Sequence, residues 1–355
     1  ARARPVSAKA ILSVAEEEGC DGIAHGCTGK GNDQLRFEAV WRDSDLAVTA
    51  PVRELGLTRE WENEYAREQG LPVEGGDGGR YSIDTNLWSR SVEGSELEEP
   101  GYVPGEEIYE WTTAPSGETR ELELTFEAGE PVALDGEELD AVTLIERLNE
   151  VAGAHGVGRT DVMEDRMLGL KVRENYEHPA ATVLLNAHEA LESLVLTTEE
   201  RQYKNGIDQE WAEKGYQGLV DAPLVRALEG FIDETQARVT GTVTVRLEGG
   251  QARPVGRTSP YAVYSAEAAS FNTEDVTGGI EQADATGVAK YHGFQERFAN
   301  KTIEAANESL GKTAPDGGLK NDDGDGTGVT AGESPLAGTD VDDGGAGADG
   351  ERAVD

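Results

Sequence analysis

The sequence is poor in several things, and each shortage excludes something. Only two cysteines, Cys20 and Cys27, occur among 355 residues. That excludes a disulfide-stapled scaffold and fits a reducing cytoplasm. His25 lies between the two thiols, but their spacing is not that of a zinc site, and no second ligand pair follows. They read as ordinary buried or loop thiols. No run of about 18 apolar residues is present, so no membrane-spanning helix is expected. The opening "ARARPVSAKA" lacks the apolar core of a signal peptide. Positive charge is scarce as well. The formal net charge is −39, which argues against nucleic acid or an anionic membrane as a major partner. Lysines are few among the basic residues. Such a surface suits a salt-rich cytoplasm, where the screening length falls to about 3 Å at molar salt. The charge therefore reports a halophilic habitat rather than a function.

What is present alternates in type along the chain. "SAKAILSVAEEE", residues 7–18, reads as an amphipathic helix, and "CDGIAHG" as a short buried strand. "NDQLRFEAVWRD" is a second helix and "LAVTAPV" a second strand. "TREWENEYAREQG" is a third helix, with Thr58 as its N-cap. Alternating strands and helices predict a parallel sheet with covered faces. Beyond about Pro100 the pattern changes to α+β. "RELELTFEAGEPVALDGEEL" and "TGTVTVRLEGGQARPVG" read as hairpins, and "AVTLIERLNEVAGAHG" as a helix. "TDVMEDRMLGLKVR" is strand-like, and helices dominate from Ala180 to Val239. One exposed helix is expected over Gly287–Leu310. Residues 313–355 are glycine-rich and acidic with no aromatic. They cannot bury enough apolar area to offset their ordering entropy, so a disordered tail is expected.

The stretch "HGCTGKGNDQLRFE", His25–Glu38, resembles a phosphate loop, but its spacing is wrong. A Walker-type loop needs a glycine at 24 and a hydroxyl at 31, where this chain has Ala24 and Gly31. The loop nonetheless follows a strand in an α/β pattern, where ligands bind, and leads into a helix N-terminus, which favours anions. Thr28, Asn32, Asp33 and Arg36 offer hydroxyl, amide, carboxylate and guanidinium, and Asn32 and Arg36 are an i, i+4 pair. The structural alternative is a capped helix start, with Asn32 or Asp33 as N-cap. Two further stretches are polar without obvious structural need. "YSIDTNLWSRSVEG", Tyr81–Gly94, carries Ser82 and Ser91 with no clear period, as site-lining loops do. "VMEDRMLGLKVRENYEHPAAT", Val162–Thr182, sets Glu164 and Tyr176 among apolar residues. Its structural alternative is an edge strand with solvated charges.

In that order these stretches resemble argininosuccinate synthase over roughly residues 1–300. The matches are "ARP" at Ala3–Pro5, "AHGCTGKGNDQ-RFE" at 24–38 and "YSID-NLW-RS-EG" at 81–94. "LNE" with "HGVGR" at 148–159 and "E-R--G-K-R--YE-PA" at 164–180 follow. Asp165, Val172 and Glu174 stand where the family more often has Asn, Ser and Gly, and Ala1 where a serine is common. The family's "SGGLDTS" nucleotide loop does not occur in this sequence, so a segment carrying it is expected ahead of Ala1.

The resemblance implies a fold: part of a parallel-sheet nucleotide-binding domain of the adenine nucleotide alpha hydrolase type over 1–95. An α+β synthetase and oligomerisation domain with a C-terminal helix would follow over 96–312, then the tail over 313–355. It implies ATP-dependent ligation of citrulline and aspartate, with Mg²⁺ accompanying ATP, in a cytoplasmic homotetramer. By the same resemblance Thr28, Asn32 and Asp33 hold aspartate. Asn32, Arg36, Ser82, Ser91, Glu164 and Tyr176 hold citrulline, and Gly26 approaches the nucleotide. No protein nucleophile is expected, and His25 is expected to be structural. The alternative is a non-catalytic homologue or assembly fragment that keeps amino-acid and subunit contacts.

Overall fold

The computed structural model of the chain describes residues 3–72, 80–115, 117–269 and 282–311. Ala1 and the expected tail at 313–355 lie outside them. Two compact units are distinguished, Ala1–Thr277 and Gly278–Asp355.

The larger unit opens with the expected alternation. Helix α1 spans Ala3–Glu17, β1 Gly22–Ala24, α2 Asp33–Trp41 and β2 Ala47–Thr49, followed by α3, Pro51–Glu54, and α4, Arg59–Glu68. Strands β1 and β2 pair in parallel, with Ile23 opposite Val48. Their cover is thin. Ala8, Ala15, Ile23 and Trp41 are the buried members of this cluster, and the Trp41 indole N–H donates to the Ala8 carbonyl at 2.9 Å. Thr58 caps α4 as expected, its hydroxyl accepting from the Trp61 N–H.

The 81–94 stretch is not an irregular loop. It is a hairpin of β3, Ser82–Thr85, and β4, Arg90–Glu93, with Ile83 opposite Val92. Its period of two was hidden because one face carries Ser82, Asp84, Ser91 and Glu93, so few apolar residues mark the alternation. The Asn86 side chain makes the turn, accepting from the N–H groups of Trp88 and Ser89.

Next come β5, Arg120–Glu127, β6, Glu130–Leu134, and β7, Glu137–Glu138, then α5, Ala141–Ala154. Strands β8, Arg159–Asp165, and β9, Lys171–Glu177, form the second polar hairpin. Helices α6, Pro179–Val195, α7, Thr198–Gln217, and α8, Pro223–Gln236, follow. Prolines sit in the first turns of α6 and α8, and a Thr197–Glu200 capping box starts α7. Strands β10, Gly241–Glu248, and β11, Gln251–Thr258, precede the short α9, Ala266–Ala269.

Among the described residues two antiparallel sheets result. One has the order β11-β10-β5-β6-β7, the other β3-β4-β9-β8. On β5 and β10 every second residue is apolar and buried: Leu122, Leu124 and Phe126, then Val243, Val245 and Leu247. They share one core with Leu144 and Leu148 of α5 and with Val183, Ala187 and Leu191 of α6. The second sheet joins β4, with Ser91, to β9, with Tyr176 directly opposite. It therefore carries both polar stretches singled out in the sequence.

The smaller unit contains α10, Ala285–Tyr291, and α11, Phe294–Ser309. The single helix expected over Gly287–Leu310 is broken at His292–Gly293. Gly293 has φ +65°, a left-handed conformation that ends a right-handed helix.

Candidate active site

The glycine loop leaves β1 at its carboxyl end, and His25 holds its shape. The His25 Nδ1 accepts from the Cys27 N–H at 3.2 Å, so the Nε2–H faces Glu38 Oε1 at 3.0 Å. Glu38 also takes the Arg53 guanidinium. The imidazole packs against Phe37 and Trp41. Both ring nitrogens are thus used within the fold. Cys27 is half-buried, which pushes its thiol up, and Cys20 is exposed. Among the described residues no group of three His, Cys, Asp or Glu could hold a metal ion.

Asn32 stands at the N-cap position of α2 but makes no side-chain cap. It is 6% exposed, and its amide is used elsewhere. The Oδ1 accepts from the Met167 N–H at 3.1 Å, and the Nδ2 donates to the Tyr216 hydroxyl at 2.6 Å. Asp33 sits between two guanidinium groups, accepting from Arg4 Nε at 2.7 Å and Arg36 Nη1 at 2.9 Å. Burial pushes its carboxyl up, but the hydrogen bonds and charge of Arg4 and Arg36 outweigh that and hold it below its ordinary range. Arg36 also donates from Nε to the Tyr216 carbonyl at 2.8 Å. Thr28 and Gly26 lie at the exposed rim of the loop. A Cβ at Gly26 would meet nothing within 4 Å, so the fold itself does not demand glycine there.

The other half of the site is one face of the four-stranded sheet. Cross-strand partners share a face, and so do alternate residues on a strand. Ser82 lies opposite Glu93, Asp84 opposite Ser91, and Ser91 opposite Tyr176. Glu164 lies opposite Val172, two steps from Glu174 on β9. Ser82, Ser91, Glu164 and Tyr176 therefore point the same way, together with Asp84, Glu93 and Glu174. Arg166, in the turn between β8 and β9, collects the acids. Its Nη2 is 2.7 Å from Glu93 Oε2 and 3.2 Å from Glu174 Oε1, and its Nε is 3.6 Å from Glu164 Oε2. The Tyr176 hydroxyl donates to Glu174.

The two halves meet. Besides the bond from Met167 to Asn32, Arg166 Nη1 donates to the Lys30 carbonyl at 3.3 Å. The loop, the serine-bearing hairpin and the distant β8–β9 hairpin thus form one continuous polar surface. Its acidity is tuned locally. Burial, then the neighbouring Glu174, push Glu164 above the ordinary carboxylate range. Burial and Glu174 likewise push the Tyr176 hydroxyl up. Tyr216 is pushed up to about 12 by burial, then by Glu164.

Sequence reading missed Tyr216 altogether, while Arg4 and Glu93, inside quoted matches, and Glu174, named as a departure from the family pattern, received no role. Arg166 likewise lay inside a quoted match without a role. Nothing in "GYQG" points to partners some 180 residues earlier. The one local signal is Gly218, which ends α7 at φ +79°.

The molecule is thus an α/β protein whose loop, after a parallel strand, faces a charged antiparallel sheet. The chain matches the family model of the Arginosuccinate synthase N-terminal HUP domain over residues 1–72. It matches that of the Arginosuccinate synthase C-terminal domain over residues 81–299. The protein named argininosuccinate synthase in Natronomonas pharaonis is 80% identical over 308 residues, 87% of this chain and 77% of that protein. Its namesake in Halobacterium salinarum is 68% identical over 304 residues, 86% of this chain and 76% of that protein. That of Methanosarcina barkeri is 54% identical over 305 residues, 85% and 76%. The chain belongs to the argininosuccinate synthase family. Relatives in salt-loving archaea agree with the habitat inferred from the charge.

Proposed function

We infer that the protein is an argininosuccinate synthase, an ATP-dependent carbon–nitrogen ligase of arginine biosynthesis. The ureido oxygen of citrulline attacks the α-phosphorus of ATP, and pyrophosphate leaves. The aspartate amine then attacks the ureido carbon, and the C–O bond breaks to release AMP. A ureido carbon is a poor electrophile, and adenylation converts its oxygen into a leaving group. The remaining contribution is positioning and fixed charge, which needs no protein nucleophile.

The observation that carries this reading is the continuous surface joining Arg36, Ser91 and Glu164. We assign the citrulline carboxylate to Arg36, whose Nη2 has no protein bond among the described residues. Glu164 is the partner for the citrulline ammonium, with Asn32, Ser82, Ser91 and Tyr176 around it. Thr28, Asn32 and Asp33 take aspartate, and the open space beside Gly26 takes the nucleotide. Mg²⁺ would travel with the ATP phosphates. The described residues offer no cluster to hold it, so no step is routed through it. Among them no helix is long and apolar enough to cross a membrane. A cytoplasmic homotetramer that uses the C-terminal helix for assembly completes the proposal, with 1–95 and 96–312 as its two domains. No observation favours the non-catalytic alternative.

The test is isothermal titration of the chain with citrulline and with aspartate in molar KCl. Arg36→Ala should weaken citrulline about 100-fold, the effect of removing a charged hydrogen-bonding partner. Equal citrulline affinity in the variant would overturn the assignment.

A further inference from the structure

Three attachments tie Tyr216 to Asn32 and Arg36, both assigned to substrates. Its hydroxyl oxygen accepts from Asn32 Nδ2 at 2.6 Å. Its carbonyl accepts from Arg36 Nε at 2.8 Å. Its ring lies beneath the Arg36 guanidinium, 5.0 Å from the central carbon. Tyr216 is the penultimate residue of α7, a helix of 20 residues. Its carbonyl is one of the last four, which have no partner within the helix. The partial negative charge at that helix end favours a cation. Carbonyl, ring and helix end therefore all hold one guanidinium, the carbonyl at its Nε edge and the ring against its face.

The Asn32 amide is held as firmly. The Met167 N–H can only donate, so it must face the Asn32 oxygen and not its nitrogen. That turns Nδ2 to Tyr216, whose oxygen accepts. The hydroxyl keeps its own proton for the Asp165 carbonyl at 3.2 Å, with the Glu164 carboxylate as a second acceptor. One N–H of Asn32 remains for a ligand. Gly218 makes the approach possible: a Cβ there would stand 3.0 Å from the Arg36 Cα. It adopts φ +79°, which a side chain would disfavour.

We propose that Tyr216 is a positioning residue of the amino-acid site, which fixes the Asn32 amide and aims the Arg36 guanidinium at substrate. This rests on the substrate assignments above, and it adds a residue of α7 to a site otherwise drawn from the glycine loop, the first turns of α2 and a sheet. Tyr216 touches no reacting atom. Its effect is on where the donors stand before substrate arrives.

The experiment uses the full chain in molar KCl, with Tyr216→Phe as the first variant and Tyr216→Leu as the second. Selective ¹⁵N labelling of asparagine gives the Asn32 side-chain signals, identified by their loss in Asn32→Asp. In Tyr216→Phe those signals should move and exchange faster with solvent, while the urea unfolding midpoint stays. Citrulline should bind about tenfold more weakly, the effect of one part-buried hydrogen bond. Tyr216→Leu should weaken it further, because the ring under Arg36 goes too. Unmoved Asn32 signals in Tyr216→Phe would overturn the proposal while leaving the substrate assignments intact. So would moved signals with unchanged citrulline affinity. A parent chain that binds neither citrulline nor aspartate would overturn both readings together.

Discussion

The two antiparallel sheets of this molecule differ in what holds them. In the five-stranded sheet the central strands turn a row of Leu, Val and Phe side chains inward, and each of Leu122, Leu124, Phe126, Val243, Val245 and Leu247 is at most 1% exposed. In the four-stranded sheet the buried residues of β9 are Arg173, Glu174, Asn175 and Glu177. Burial of apolar area is non-directional, so the first sheet tolerates any packing that fills its volume. Buried charges persist only when partnered, and partnership has a direction. The Asn175 amide, which has no partner among the described residues, is an exception, but the Glu177 carboxylate is fully engaged. It accepts from Arg90 Nη1, from the N–H groups of Glu110, Trp111 and Thr112, and from the Thr112 hydroxyl. A site for small charged molecules needs donors fixed in direction, and it is built on the sheet that already fixes its own.

The largest expected effect follows from that contrast. Glu177→Ala should cost about 3–5 kcal/mol, because it leaves the buried Arg90 with only the exposed Glu110 as a charge partner and strips three backbone N–H groups of their acceptor. It should also abolish citrulline binding, since Glu177 anchors the strand that carries Tyr176. Leu124→Ala, in the apolar sheet, should cost about 3 kcal/mol in urea unfolding at constant KCl. The folded fraction should keep the parent's citrulline affinity. If Leu124→Ala loses citrulline binding while still folded, the two sheets are not separable in function.

A smaller effect sharpens the comparison through pH. Burial and Glu174 raise the pKa of Glu164, so its proton leaves later than the ordinary value of about 4.3. Only the ionised form can pair with an ammonium. Citrulline affinity should therefore rise with pH through a midpoint above about 4.3, and fall on acidification while the fold is still intact. Titration in steps from weakly acidic to neutral buffer reads this directly. The sign for stability is the opposite one. A carboxyl with a raised pKa favours the folded state most at low pH, and that contribution is lost as pH rises through the folded value. Glu174→Gln should lower the midpoint of the affinity curve. An unchanged midpoint would mean that Glu174 does not bear on Glu164.

The same contrast explains what could be read from the sequence. The apolar sheet was legible because period-two hydrophobicity in "RELELTF" and "TVTVRL" states both the strands and their inner face. Helix α5 and the cap at Thr58 were legible from local chemistry. The polar sheet was half legible. Its second hairpin read as strand-like, but the first, 81–94, hid its period behind serines and acids. The glycine loop was visible at once, but its residues left a ligand-holding amide at Asn32 and a helix cap both open; the amide faces Met167 and Tyr216 and makes no cap. Those contacts cross 135 and 184 positions of sequence. Directional polar contacts at long range leave no periodic trace, whereas apolar burial does.

The weakest prediction concerns charge at the surface of a chain of net charge −39. Lys9 and Asp221 form a close ion pair at 2.7 Å, with side chains 50% and 66% exposed. It joins α1 to the loop before α8, so it looks structural. At molar salt the screening length is about 3 Å, and both groups keep most of their water. A double-mutant cycle of Lys9→Ala and Asp221→Ala should give a coupling under about 0.5 kcal/mol in molar KCl. The cycle is needed because either single change also alters the net charge, and only the coupling isolates the pair. The Arg90–Glu177 pair is the internal control: desolvated and 2.9 Å apart, it lies out of reach of the screening ions. Its coupling should stay nearly constant as KCl is varied, while that of Lys9 and Asp221 should grow as salt is withdrawn. If both couplings vary alike with salt, burial does not separate the two kinds of ion pair in this protein. The distinction between its surface charge, set by habitat, and its buried charge, set by the site, would then fail.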